Sequence, residues 1–249
     1  MTHPISPALR AELAPSGALR VGLNLSNFLL VNAERVEGEP AGIAPDIGRE
    51  IARRLGVPVA FVTHPGAGDL AASVSTGAWD VGLLGADPLR AGEIAFTPAY
   101  LEIEACYFVL ADSPIRGIED VDRPGVRIAL SDRSAYDMYL RRTLKHASVH
   151  RAEGIEASYQ LFVREKLDVL AGLKPRLVQD QDKHPGSRIL DGCFTSIQQA
   201  IGTPIARTAA AAWLVEFGEE IKGGLVAQLI ARHGVRGVTV APLSRPAGA

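Results

Sequence analysis

Residues 42–84, GIAPDIGREIARRLGVPVAFVTHPGAGDLAASVSTGAWDVGLL, decide the fold class. Over residues 45–55, Ile47, Ile51 and Leu55 recur every four positions, which is the spacing of one helix face. Asp46 lies near the positive end of that helix, Arg53 and Arg54 near its negative end, and Gly56 follows as a stop. Glu50 sits one turn before Arg54 and can pair with it. Residues 57–62 read as a β-branched strand, 69–78 as a second helix, and 80–84 (DVGLL) as another strand. Upstream, residues 18–25 (ALRVGLNL) supply the first strand. The order β-α-β-α-β is the unit of a parallel sheet.

Downstream, the apolar run 104–111 ends at Asp112-Ser113-Pro114, and the rhythm then restarts. Strands are expected over 126–130, 148–151 and 167–173, with helices over 134–144 and 155–166. Tyr136, Tyr139, Leu140 and Leu144 form a helical stripe whose simplest reading is core. An extended run, 187–201, precedes a tail with helices over 206–217 and 219–233. No third half-sheet follows. These last helices therefore need the first half-sheet to bury against, with the chain returning through 197–201.

The chain has 249 residues, 47% hydrophobic and 22% charged, so two lobes of ordinary domain size fit as well as one crowded core. A formal net charge of −2 argues against a nucleic-acid or anionic-membrane surface. Aromatics make up only 6%, so the core must rest on Val, Ile, Leu and Ala, as in α/β proteins. No run reaches the 18 or more apolar residues of a membrane span. Pro4, Pro7, Glu12 and Pro15 interrupt any signal-peptide core, so the sequence as written is expected in the cytoplasm, or in the periplasm if a leader has been removed. Cys106 and Cys193, 87 positions apart in apolar segments, read as two buried thiols, with a bridge as the alternative.

Common catalytic signatures are absent. There is no G-x-x-x-x-G-K-[ST] and no G-x-S-x-G, and Gly66-Ala67-Gly68 lacks the rest of a dinucleotide fingerprint. His146 and His150 have one-face helical spacing, but they straddle an expected helix end without a third ligand and read as solvated. No metal and no cofactor is expected.

The stretches LRVGLN, GEPAGIAPDIGREIARRLGVPVAFV, STGAWDVGLLGADPLRAGEIAFTPAY, SPIRGIEDVDRPGVRIALSDRSA and LDVLAG, in that order, resemble the type 2 periplasmic solute-binding proteins. Within them the likeness is to the amino-acid branch, the bacterial extracellular solute-binding proteins of family 3, and it covers about residues 18–240. The resemblance implies an α/β, two-lobe, periplasmic-binding-protein-like type II fold. Each lobe would be a mainly parallel sheet flanked by helices, with two hinge crossings and the ligand in an interlobe cleft. Lobe 1 would comprise 18–111 and 200–241 and lobe 2 112–199, with an N-terminal extension 1–17 and a tail 242–249.

The resemblance also nominates residues. After the first strand come Asn24 and Phe28, the latter either a ligand-stacking ring or a core phenylalanine. After the third come Gly85, Asp87 and Arg90. Arg90 matches the family's arginine, whose planar fork clamps a ligand carboxylate. Asp87, before Pro88, is either a helix cap or a ligand contact. In lobe 2, Arg133 and Ser134 correspond to the family's glycine-threonine loop, with Arg133 replacing the glycine. Leu173, followed by Lys174, stands where amino-acid binders have the aspartate that holds the ammonium. A leucine cannot neutralise that charge.

The expected function is therefore capture of a small carboxylate-bearing ligand, with an ABC-transporter permease as partner if the protein is exported. A monomer is expected. The ligand is either non-amino or has its amine held elsewhere, by Asp87. One alternative is a cleft enzyme of the cyclohexadienyl-dehydratase type using Asp87 or Asp132 as the acid. The other is a cytosolic sensor or scavenger.

Overall fold

The computed structural model describes residues 5–36 and 39–244. Residues 1–4 of the expected N-terminal extension, and the tail beyond 244, lie outside them. In chain order the elements are α1 (Pro7–Leu13), β1 (Leu19–Asn24), β2 (Asn32–Val36), β3 (Glu39–Ala41), α2 (Ile43–Leu55), β4 (Val59–His64), α3 (Ala67–Ala72), β5 (Val81–Gly85), β6 (Ile94–Phe96) and β7 (Leu101–Val109). There follow β8 (Arg127–Ser131), α4 (Ala135–Thr143), β9 (Ser148–Ala152), α5 (Ile155–Arg164), β10 (Val169–Leu173), α6 (Lys174–Gln181), β11 (Arg188–Ile189), β12 (Thr195–Pro204), α7 (Thr208–Lys222), α8 (Leu225–Arg232) and β13 (Thr239–Val240).

The chain divides into two compact units. Unit 1 holds Met1–Glu102, Gln198–Val235 and Thr239–Ala249; unit 2 holds Ile103–Ile197 and Arg236–Val238. The chain thus leaves unit 1 inside β7 and re-enters it inside β12, and residues 236–238 make a brief second excursion. The expected crossing at Ala111–Pro114 lies beyond the end of β7.

In unit 1, β1 pairs in parallel with β4 and β5, and β12 runs antiparallel to β5. A strand flanked on both sides and covered on both faces reads as a continuous apolar run, and in β1 every residue but Arg20 is buried. α2 buries Ile47, Ile51 and Leu55 completely. Arg53 and Arg54 grip Glu50 and hold its carboxyl down at about 2. The second expected helix is shorter than read: α3 stops at Ala72 and continues as a 3-10 turn, Ser73–Thr76. The break between the last helices falls at Gly223–Gly224 rather than at 218. α1, α6 and the β2–β3 hairpin were not legible in the pattern.

In unit 2, β9, β8 and β10 are parallel, and β7 runs antiparallel to β10. Phe108, Phe162, Leu167, Leu170 and Leu177 make its core together with Cys106. The reading of two free thiols is overturned: Cys106 and Cys193 form a disulfide. The segment before β12 runs along β7. Leu190 N–H donates to Tyr107 O at 2.9 Å and Phe194 N–H to Ala105 O at 3.1 Å, so the pair of bonds brackets Cys106 and brings Cys193 onto it.

Both units carry the same brace at the amino edge of the sheet. In unit 1, Asp80 accepts the Arg20 N–H at 2.9 Å and its Nε and Nη2 at 3.0 and 2.7 Å, while Arg20 Nη1 donates to Gly77 O. In unit 2, Asp168 accepts the Arg127 N–H at 2.8 Å, its Nε at 3.1 Å and its Nη2 at 3.3 Å, while Nη2 also donates to Lys166 O. The residue whose carbonyl accepts in each brace lies in the left-handed region, Gly77 (φ 64°) and Lys166 (φ 47°). Such a φ costs a side-chain-bearing residue roughly 1–2 kcal/mol.

Two outcomes are expected from this architecture. Replacing Lys166 by glycine should raise stability by about 1 kcal/mol, read as a rise of a few degrees in Tm by calorimetry. No rise would mean that the Lys166 side chain contributes as much as its backbone costs. Removing the disulfide as Cys106→Ala with Cys193→Ala should destabilise by about 2–5 kcal/mol, because the bridge closes a long loop. A denaturation midpoint unchanged from the oxidised parent would contradict that.

Candidate functional site

The loops that follow parallel strands are where ligands bind in open α/β sheets. In unit 1 these are the turns after β1, β4 and β5, of which the first and last carry the residues named from the sequence. Asn24, at the end of β1, is 8% exposed, and its Oδ1 accepts the Ser26 N–H at 3.1 Å and hydroxyl at 2.8 Å. It therefore shapes the turn that presents Phe28, which is 37% exposed and so not a core ring. Leu25 is exposed beside it in sequence, while Leu29 and Leu30 are buried.

Gly85 ends β5 and pairs with Gln199 of β12. Its carbonyl accepts Arg90 Nη1 at 2.7 Å, which fixes one arm of the guanidinium. Arg90 is only 7% exposed, so the surface reading of this arginine is excluded. Asp87 takes the capping role: its Oδ1 accepts the Leu89 N–H at 2.9 Å, and Pro88 opens a 3-10 turn, Pro88–Arg90. That short turn is what carries Arg90 back towards Gly85. Two buried amide oxygens in unit 1, Asn27 Oδ1 and Gln199 Oε1, have no hydrogen-bond partner among the described residues. The buried Tyr100 hydroxyl has none either, and burial pushes that phenol up.

In unit 2 the corresponding turns follow β8 and β10, which are neighbours in the ladder. Arg133 lies in the left-handed region (φ 52°), a conformation that glycine adopts most easily. Its side chain is half exposed, with Nε 3.6 Å from Asp132 Oδ2. Ser134 caps α4: its Oγ accepts the Asp137 N–H at 3.1 Å. The fold thus engages its oxygen as an acceptor, which does not use the O–H. Leu173 closes β10 at 4% exposure and offers α6 no side-chain cap. Lys174 Nζ donates to Glu104 Oε2 at 2.6 Å.

Two residues of this edge escaped the sequence reading. Asp137, fully buried, accepts the Arg133 N–H (2.9 Å), Arg141 Nε and Nη2 (3.0 and 2.7 Å) and Arg151 Nε (2.9 Å). It is the residue that sets the Arg133–Ser134 loop, and the S-x-x-D spacing of a capping box was its signal. Glu104, the partner of Lys174, had no local signal, because the two are 70 positions apart. The expected solvated character of His146 and His150 is consistent with their places: the His146 N–H donates to Asp122, and His150 Nδ1 lies 3.9 Å from Glu165. Of the expected core stripe, Tyr136 and Leu140 are buried, while Tyr139 stands 6.0 Å from the Phe194 ring.

Glu104, Cys106 and Cys193 are close enough to share a cation, but the two sulfurs are bonded to each other and offer no thiolate. No described helix is long and apolar enough to cross a membrane.

Comparison with solved structures places the fold. Holo ArgBP from T. maritima aligns with a TM-score of 0.71 at 23% identity, covering 90% of this chain and 98% of that one. The cysteine-binding protein from Campylobacter jejuni aligns at 0.74 and 15% identity, covering 90% and 91%. The ancestral amino acid-binding protein AncCDT-1, a precursor of cyclohexadienyl dehydratase, aligns at 0.71 and 21%, covering 89% and 97%. No curated protein matches in sequence. A family model matches residues 19–232, nearly the whole chain, and by that match the protein belongs to the bacterial extracellular solute-binding proteins, family 3.

Proposed function

We propose that this solute-binding protein captures a small carboxylate, an amino acid or a related organic acid, and passes it to the permease of an ABC importer. The observation that carries the reading is Arg90. It is a buried guanidinium at the carboxyl end of β5, with Nη1 donating to Gly85 O. A buried cation of planar, forked shape suits a carboxylate. The solved relatives agree in kind: the C. jejuni protein is a cysteine-binding protein, and a truncated form of the T. maritima protein is arginine-bound.

The reading is non-catalytic. The two acids considered for an enzyme are each occupied by protein donors: Asp87 by the Leu89 N–H, and Asp132 by Arg141 Nη2 at 2.9 Å. A general acid needs a proton free to reach a substrate. Replacing Arg90 by alanine should weaken solute binding about 10- to 100-fold, since a charge-assisted bond contributes roughly 1.5–3 kcal/mol. Titration calorimetry reads the loss, circular dichroism checks the fold, and Arg90→Lys should recover part of it. Unchanged affinity in a folded variant would move the site away from β5.

We also propose that the protein works outside the reducing cytoplasm. The Cys106–Cys193 disulfide supports this, because such bonds persist in oxidising compartments. In intact cells, both cysteines should resist a thiol-alkylating reagent until a reductant is added, as read by gel shift. Two freely alkylated thiols would place the protein in a reducing compartment instead.

A further inference from the structure

We propose that Cys106 and Cys193, once reduced, form with Glu104 a site for a thiophilic divalent cation of the zinc type. The disulfide and the cation are then alternative occupants of one place. All three residues belong to unit 2, and the inference does not depend on the solute reading.

The backbone holds the two cysteines together as much as their bond does. Arg188 and Ile189 pair with Val109 and Phe108 of β7. The Leu190 N–H donates to Tyr107 O at 2.9 Å and the Phe194 N–H to Ala105 O at 3.1 Å. The Tyr107 and Phe194 rings stack with centroids 4.4 Å apart. None of these contacts uses the S–S bond, so reduction leaves two thiols face to face. Glu104 precedes Cys106 by two positions on β7 and therefore shares its face of the sheet. One of its carboxylate oxygens and the two sulfurs lie within 4.8 Å of one another. Two thiolates on a tetrahedral ion stand roughly 3.8 Å apart, which is inside that reach.

The donor set selects the ion. Thiolates favour zinc-like ions over magnesium or calcium, and three protein ligands leave the fourth tetrahedral place to water. Two thiolates and a carboxylate are balanced by a divalent cation together with the Lys174 ammonium, whose Nζ donates to Glu104 Oε2 at 2.6 Å. Cys106 is fully buried in a cluster with Phe108, Leu170 and Leu177, and such an apolar wall strengthens the attraction. Cys193 is half-buried and Glu104 exposed, so the cation enters from their side.

The exchange balances with a dithiol reductant. Its first thiolate attacks Cys193 Sγ, the more accessible sulfur, and Cys106 leaves as a thiolate. Its second thiol releases Cys193, and the reductant departs as a disulfide, having given two electrons and two protons. The cation then displaces both thiol protons. In the oxidising setting proposed above the bridge is the resident form, and the cation enters only after the bridge is opened.

The test reduces the full chain with a phosphine, removes the reductant without air, and titrates with Cd2+, whose thiolate complexes absorb in the ultraviolet. The reduced chain should bind one Cd2+ with a thiolate-to-metal band that Zn2+ abolishes, and the disulfide form should show no band. The chain has only two cysteines, so the band reports this pair. No band, half an ion per chain (an ion between two copies), or equal uptake by the disulfide form overturns the inference. So does loss of the far-ultraviolet circular dichroism on reduction, since the backbone would then not hold the thiols together. Glu104→Gln should weaken Zn2+ binding about tenfold or more and keep the band. Unchanged affinity in that variant overturns the carboxylate's part.

Discussion

An arginine on the first or second position of a strand, bound through backbone and side chain to the aspartate that opens a neighbouring strand, sets the register of both units. Arg20 with Asp80 does this in unit 1, and Arg127 with Asp168 in unit 2. The two braces differ in depth. Asp80 is fully buried and also accepts Arg207 Nη1 at 2.6 Å, whereas the Arg127–Asp168 pair is partly open to solvent. Breaking a buried pair typically costs about 3–5 kcal/mol, and an exposed one about 0–1. Arg207 also reaches Glu12 O, and Glu12 receives the Ala210 N–H, so the unit 1 brace fastens α1, β1 and α7 together. The C-terminal helices find their place on the first half-sheet through that carboxylate.

With the amino edges fixed, the opposite edges are free to carry loops whose polar side chains answer to their own backbone. Asn24 makes a turn, while Asp87 and Ser134 make caps. Each of these residues also lies where the family resemblance expects solute contacts. Capping and binding draw on the same groups because both need donors and acceptors at strand ends and helix starts. Arg90 is a buried cation, one arm of which the Gly85 carbonyl holds.

The helical period around Ile47, Ile51 and Leu55, and the apolar runs of β1, β5, β8 and β10, were legible because burial on a face writes itself into local spacing. Arg90 and the loop residues were legible through resemblance. α1 and α6 were not, since each is short and punctuated by proline, and their burial depends on partners far along the chain. Asp137 looked like one more polar residue on a helix, and nothing local says that three arginines converge on it.

By itself the sequence determined the α/β class, the doubled strand-helix rhythm and the choice of residue types at the strand ends, because each of these is set by neighbours within a few positions. Tertiary structure alone decided the disulfide between Cys106 and Cys193, the neutralisation of Glu104 by Lys174, and the repeated arginine-aspartate brace. These join residues 41 to 87 positions apart. Over such separations only the paired strands bring the groups within bonding distance, so whether a carboxylate is free or a thiol alone is a property of the fold.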